Sequence, residues 1–338
     1  MSGRFVGSLV AAAMAAVVVS LATVPVAGQV AGQGALADPA TERDRNFKPI
    51  ACPQISDFAA FHRCALEKMK AFSPRRTPDG KPDMNGKWNR SRGAMDIEEL
   101  HGQYGGEGTS AIVPPSKSLV VDPANGRIPY QPWAAEIRRK IASFSSPTID
   151  TVASPADKAY AFVSPSAMCF QLGSQRLGYS SDTYIIQQPD TIVFFKDRIH
   201  SHRIVPLDGR PHVGSNIRMW NGDPRGRWEG DTLVIDTTNS NDLTWFDHIG
   251  TFMTEGAHLV ERLTFVDENT IHYEETITDA KVFTQPWKIV LAWQRSADKG
   301  VEKEIWYDDS RENCDIGLQR QFSLGLKPYP GFWAIAPK

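Results

Sequence analysis

The sequence predicts a mainly β protein: an antiparallel meander closed into a barrel or doubled into a sandwich, preceded by a short helical extension. Three observations carry this reading. After Ser180, short runs rich in Val, Ile, Thr and aromatic residues recur with period-2 alternation. Between them stand tight-turn residues: Pro189-Asp190, Asp208-Gly209, Glu229-Gly230-Asp231 and Asp267-Glu268-Asn269. Helical periodicity is confined to two short stretches, too few for a parallel α/β sheet.

The chain opens on a targeting pattern. Arg4 is the only charge before Asp38, Leu9 to Ala27 is almost wholly apolar, and Ala35-Leu36-Ala37 offers an A-x-A cleavage site. Residues 1–37 therefore read as a secretory signal, with cleavage after Gly28 as a second option. The apolar run approaches spanning length, so an uncleaved anchor is the alternative. No later hydrophobic segment is long enough to span a bilayer, so the mature protein is expected to have no membrane contact once the signal is gone.

Residues 38–82 form an extension. Phe58, Phe61, Ala65, Leu66 and Met69 recur at helical spacing and predict a helix over Ser56 to Phe72. The Pro- and Lys-rich stretch Ser73 to Pro82 reads as a linker. The β-rich domain runs from 83 to 338. Its first part is broken by Gly, Pro and Ser, with one helix predicted at Pro132–Phe144. The strands follow at Tyr184–Gln188, Thr191–Lys196, His200–Pro206, Thr232–Thr237, His258–Val266, Thr270–Thr278 and Trp287–Gln294, with a last near Glu304–Tyr307. Gly226 to Asp231 reads as a turn entering a strand.

Composition removes several function classes. A formal net charge of −2 with no basic run excludes a nucleic-acid surface. Four cysteines in an exported chain favour disulfides, with Cys52–Cys64 closing a local loop and Cys169–Cys314 tying distant parts. No C-x-x-C spacing supports zinc. The sequence holds no Gly-rich phosphate loop, dinucleotide fingerprint, G-x-S-x-G elbow or H-E-x-x-H helix, so NAD, ATP and a serine-hydrolase elbow are not expected.

One hairpin can be registered. A three-residue loop at Asp267–Asn269 pairs Val266 with Thr270, Phe265 with Ile271, Leu263 with Tyr273, Glu261 with Glu275 and Leu259 with Ile277. Thr264–His272, Arg262–Glu274 and His258–Thr278 fall on the other face. One face is thus apolar except for two facing carboxylates. Like charges so placed repel unless one holds a proton, which would make an acid/base pair. The alternative is that they sit at the sheet margin, or that an Arg from a neighbouring strand neutralises them.

His200 and His202 form an H-x-H on one strand. A metal there, completed by His212 or His258, is the lesser alternative, because further ligands are not at familiar spacings; no cofactor is expected. Arg210 and His212 are not needed by the turn before them and suit an anionic or carbonyl group. Asn241, Asp242, Thr244, Trp245, Asp247 and His248 lie in a loop longer than a hairpin needs, which points to binding, or to a loop capped by its own Asn and Asp side chains.

The motifs PDMNGKW at 82–88, DGRPH at 208–212, GRWEGDTLVIDT at 226–237, NDLTWFD at 241–247 and HLVERL at 258–263, with Pro286-Trp287, resemble a large family of exported bacterial proteins. Its members usually read PDLSGVW, DGRPH, GRWEGDTLVVDT, NDRTWLD and HSEALHVVERF. The likeness covers most of the chain from Pro82 onward and implies a periplasmic β-barrel; the meander itself, where it closes, would be lipocalin-like or calycin-like. Polar positions that match are His200, Arg203, Asp208, Arg210, His212, Asp231, Asp236, Asn241, Asp247, Glu255, His258, Glu261 and Arg262. The chain departs at Met253-Thr254, where His-Ser is usual, and at Leu243, where Arg is usual.

Together these readings lead to a periplasmic or secreted, cofactor-independent acid/base enzyme: a lyase, isomerase or hydrolase for a hydrophobic or aromatic small molecule. Glu261, Glu275, His200 and His258 are the expected catalytic groups. Arg203, Arg210, His212, Asn241, Trp245, Asp247 and Arg262 are the expected substrate contacts. The alternative is a lipocalin-like small-molecule binding protein without catalysis.

Overall fold

The computed structural model describes residues 51–52, 57–90, 97–98, 118–142, 158–163, 165, 170–171, 173, 183–196, 201–247, 249–296 and 325–337. The signal segment, Cys169, Cys314, His200, His248 and the strand expected near Glu304 lie outside them.

The described part is mainly β, as the alternation predicts. Its large sheet is built from β1 (Gly86–Arg90), β2 (Val120–Asp122), β4 (Thr183–Gln187), β5 (Thr191–Lys196), β6 (His202–Pro206), β7 (Asp223–Glu229), β8 (Thr232–Thr238), β9 (His258–Asp267), β10 (Thr270–Thr278) and β11 (Trp287–Arg295). The order is β6-β5-β4-β1-β11-β10-β9-β8-β7, with β2 added beside β11. Every pairing in it is antiparallel. A small parallel pair joins β3 (Phe162–Val163) to β12 (Lys327–Pro328).

The sheet curls until β6 and β7 face each other, nearly closing a barrel. A Cβ on Gly226 of β7 would fall 2.4 Å from Leu207 Cδ2 and 2.8 Å from Val205 Cγ1, so the absent side chain is what allows this approach. β7 itself was legible only as a turn. Its inward positions, Pro224, Gly226 and Trp228, carry a single large apolar side chain, and charged residues stand between them.

The barrel interior is built in cross-strand rows. Phe265, Ile271 and Trp293 form one; Leu233, Leu263, Tyr273 and Leu291 the next; then Ile235, Glu261, Glu275 and Ile289; then Thr237, Leu259, Ile277 and Trp287. All of these side chains are buried. The β9–β10 register is the predicted one, but the turn differs. Its two residues are Glu268 and Asn269, Asp267 pairs with Thr270, and a bulge then restores Phe265 to Ile271.

Helix α1 (Phe58–Lys68) is shorter at both ends than expected. Asp57 caps it by accepting a 3.0 Å hydrogen bond from the Ala60 amide, and Met69 closes it. Phe61 and Ala65 pack on Val266, Val290 and Ala292, which point out of the barrel. The Cys52–Cys64 disulfide fastens the segment before the helix to its second half. Helix α2 (Pro132–Ala142) begins with Pro at a position that needs no amide donor, and buries Ala134, Ile137 and Ile141. A last short helix, α3, covers Phe332–Ile335. Among the described residues no helix is long and apolar enough to cross a membrane.

Candidate functional site

Glu261 and Glu275 stand directly opposite each other on the inner face, 2% and 0% exposed. Arg203 from β6 crosses the interior to them. Its guanidinium donates to Thr237 Oγ1 at 2.7 Å and lies 2.5 Å from Glu261 Oε2. The second contact is an ion pair rather than an aligned hydrogen bond, because Oε2 has no well-directed donor among the described residues. Burial works against the Arg203 charge, but Glu261, with Tyr273 and Glu275 behind it, outweighs burial and raises its pKa.

Tyr273 joins the two carboxyls. Its hydroxyl is 2.9 Å from Glu261 Oε1 and 3.2 Å from Glu275 Oε2, and its ring stacks on Trp293 with centroids 5.1 Å apart. Burial first, then the Glu261 charge, push the Glu275 carboxyl well above the usual range, against the pull of Arg203, Tyr273 and Lys196. Burial and both glutamates likewise raise Tyr273. The hydroxyl has one proton to give, and a neutral Glu275 has another. The consistent chain runs from Glu275 to the Tyr273 oxygen, and from the Tyr273 hydroxyl to the Glu261 carboxylate held by Arg203. Glu275 Oε1 and Arg203 Nε are buried and without a hydrogen-bond partner among the described residues. Such atoms are rare in a folded interior.

The other expected residues lie elsewhere. His258 is three positions from Glu261, so the pleat turns it to the outer face, where Nε2 meets Asp236 Oδ2 at 3.0 Å. Asp236 Oδ1 meets His212 Nε2 at 3.0 Å, and His212 Nδ1 meets Asp223 Oδ2 at 3.1 Å. This half-exposed network fastens the loop after β6 to β7 and β8. Arg262 also points outward and donates to Glu229 at 2.9 Å. Arg210 is ion-paired to Asp208 within its own exposed turn.

The loop after β8 caps itself. Asn241 Oδ1 accepts from the Leu243 amide at 3.2 Å. Asp247 is fully buried and accepts from the amides of Ile249 (3.1 Å) and Thr251 (3.0 Å) and from the Thr251 hydroxyl (2.6 Å). Trp245 is fully buried, edge-on to Tyr329 with centroids 5.2 Å apart. The structure therefore gathers Arg203, Glu261 and Glu275 in one place. It does not bring Arg210, His212, Asn241, Trp245, Asp247, His258 or Arg262 to them.

Sequence reasoning left Tyr273, Thr237 and Lys196 out of the site. Period-2 parity puts all three on inward faces, and the curl of the sheet brings them to the glutamates. Lys196 shares the inward face of β5 with Ile192 and Phe194 and is completely buried. His62 and His272 were also passed over; they meet on the barrel's outer side beneath α1, with Nδ1 and Nε2 2.8 Å apart. Burial, aided by His62 and Lys288, pushes His272 down to about 3.

A cavity of about 400 Å³ opens at the β9–β10 turn end of the barrel, walled by Phe72, Tyr184 and Phe265 and by Arg75, Lys87 and Arg295. Arg295 lies 4.3 Å over the Trp88 ring and donates to the Asn85 carbonyl at 2.8 Å. Burial, then the Arg75 charge, lowers its pKa. Phe265 in this wall is four residues along β9 from Glu261, roughly 13 Å at strand rise. No protein-family model matches the chain, and no curated protein or solved structure is significantly similar to it.

Proposed function

We propose that the protein is an exported, cofactor-independent acid/base enzyme acting on a hydrophobic or aromatic small molecule, with Glu275 as its proton-transfer group. The observation that carries this is the unequal pair. Glu261 is ion-paired to Arg203, while burial and the Glu261 charge push the Glu275 carboxyl well above its usual range, and one Glu275 oxygen has no hydrogen-bond partner among the described residues in an aromatic and aliphatic interior. A carboxylic acid kept neutral near pH 7 beside a fixed carboxylate is suited to protonate one atom of a substrate, and the Glu275 carboxylate so formed regains its proton from another atom of the same substrate. Glu261 and Arg203 then act as positioning residues. The N-terminal apolar segment and the Cys52–Cys64 disulfide support export to an oxidising compartment, the bacterial periplasm.

The test compares turnover of a complex metabolite extract by wild type and Glu275→Gln. Glutamine keeps the shape and cannot donate an acid proton. A metabolite consumed by wild type and left intact by a folded Glu275→Gln protein supports the proposal. Equal consumption by both contradicts it.

A second reading, a small-molecule binding protein without catalysis, draws on the 400 Å³ cavity. Its aromatic walls suit an apolar ligand, its lining mixes Arg75, Lys87 and Arg295 with Asp83 and Glu268, and neither Glu261 nor Glu275 lines it. A ligand retained unchanged by both wild type and Glu275→Gln would favour this reading.

A further inference from the structure

We propose that His62, His272 and Glu274 form a zinc site that clamps helix α1 to the outer wall of the barrel. Each residue offers one ligand atom, and the three atoms lie within 4.8 Å of one another. Their placement follows from the fold. His272 and Glu274 are two apart on β10, so both face outward, and His62 projects from the helix face that Phe61 and Ala65 press onto the sheet. Cys64, two residues from His62, is fixed by its disulfide.

Two imidazoles and one carboxylate make the donor set of a three-ligand zinc centre, with a fourth position for water. The His62 and His272 rings are nearly coplanar, at 23°, and point their nitrogens at each other across 2.8 Å. They share one proton there. Zinc takes the place of that proton once the half-buried His62 ring turns off the line of the bond. Lys288 donates to Glu274 Oε1 at 3.2 Å, which leaves Oε2 as the ligand oxygen. His272 is 2% exposed, so the site is walled on the sheet side and entered from the His62 side. The role is structural: the cluster is on the opposite face of β10 from Tyr273 and Glu275.

The test uses the full exported chain, treated with a chelator and then titrated with zinc by calorimetry, with cobalt as a spectroscopic stand-in. The expected result is one saturable site per chain, a tetrahedral cobalt spectrum, and a melting temperature that rises with zinc concentration. His62→Ala should keep the apo fold and weaken zinc binding by more than about 100-fold, beyond the loss typical of an outer partner. Glu274→Gln should weaken it as well, so the result does not depend on His272 variants folding. Absence of saturable binding up to millimolar zinc overturns the proposal. So does zinc binding by His62→Ala that equals wild type, which would place the metal elsewhere.

Discussion

Arg203 on β6 reaches across the barrel interior to within 2.5 Å of Glu261 on β9, although along the sheet β5, β4, β1, β11 and β10 lie between the two strands, and across the β6–β7 seam β7 and β8 do. This one contact sets the two facing glutamates apart. Glu261 has a counter-ion at its carboxylate, whereas burial and the neighbouring like charge raise the Glu275 pKa well above its usual value.

The two glutamine variants should therefore differ. Glu261→Gln strands a buried guanidinium and should cost about 3–5 kcal/mol of stability. Glu275→Gln replaces a neutral acid by a neutral amide and should lie within about 1 kcal/mol of wild type at pH 7, or above it. Denaturant titration of both proteins measures this. Equal large losses in the two would show that both carboxyls are ionised and paired.

The raised pKa of Glu275 also sets a pH dependence. Below about 4.5, folded and unfolded states both carry the proton, and the group is neutral with respect to stability. Above that value the unfolded chain releases the proton while the folded chain keeps it. Its contribution therefore worsens by about 1.4 kcal/mol per pH unit until the folded pKa is reached. Subtracting the stability of Glu275→Gln from that of wild type at each pH should give a difference that falls as pH rises. A flat difference would contradict the shift.

Closure of the barrel depends on Gly226. In Gly226→Ala the new methyl would overlap Leu207 and Val205, forcing β6 from β7 at a cost of about 1–3 kcal/mol. Thermal melts of this variant check the value, and an unchanged melting temperature would mean that the β6–β7 seam is loose.

Export and oxidation can be read from intact mass. The mature chain should begin near Asp38 or near Gln29, and Cys52 and Cys64 should resist alkylation until reduced. With a sequence separation of 12, Cys52→Ser should lose about 3 kcal/mol through the freed loop. Alkylation of both thiols without reductant would contradict the pairing.

Much of this architecture was legible from alternation alone. The register that sets Glu261 against Glu275 follows from keeping Leu259, Leu263, Phe265, Ile271, Tyr273 and Ile277 on one face, and the bulge beside Thr270 corrects only the turn. The same parity already placed His258 and Arg262 on the opposite face from Glu261, so motif proximity was a poor guide to a shared site. What could not be read was the far side of the barrel. Nothing local to Arg203 or Lys196 reveals that β5 and β6 curl round to face β9 and β10, because closure depends on small inward residues such as Gly226. Likewise, the Asn241–Asp247 loop looked like a binding loop because its polar groups are those that cap backbone amides, and Asp247 uses them for that.

The most direct test of the unequal pair is the infrared spectrum of the carboxyl groups at pH 7 in wild type and the two glutamine variants. A protonated-carboxyl band should be present in wild type and vanish in Glu275→Gln, and it should weaken in Glu261→Gln, where the like charge is gone and Arg203 is left to pair with Glu275. Absence of that band in wild type, or its persistence in Glu275→Gln, would contradict the assignment of Glu275 as the neutral acid.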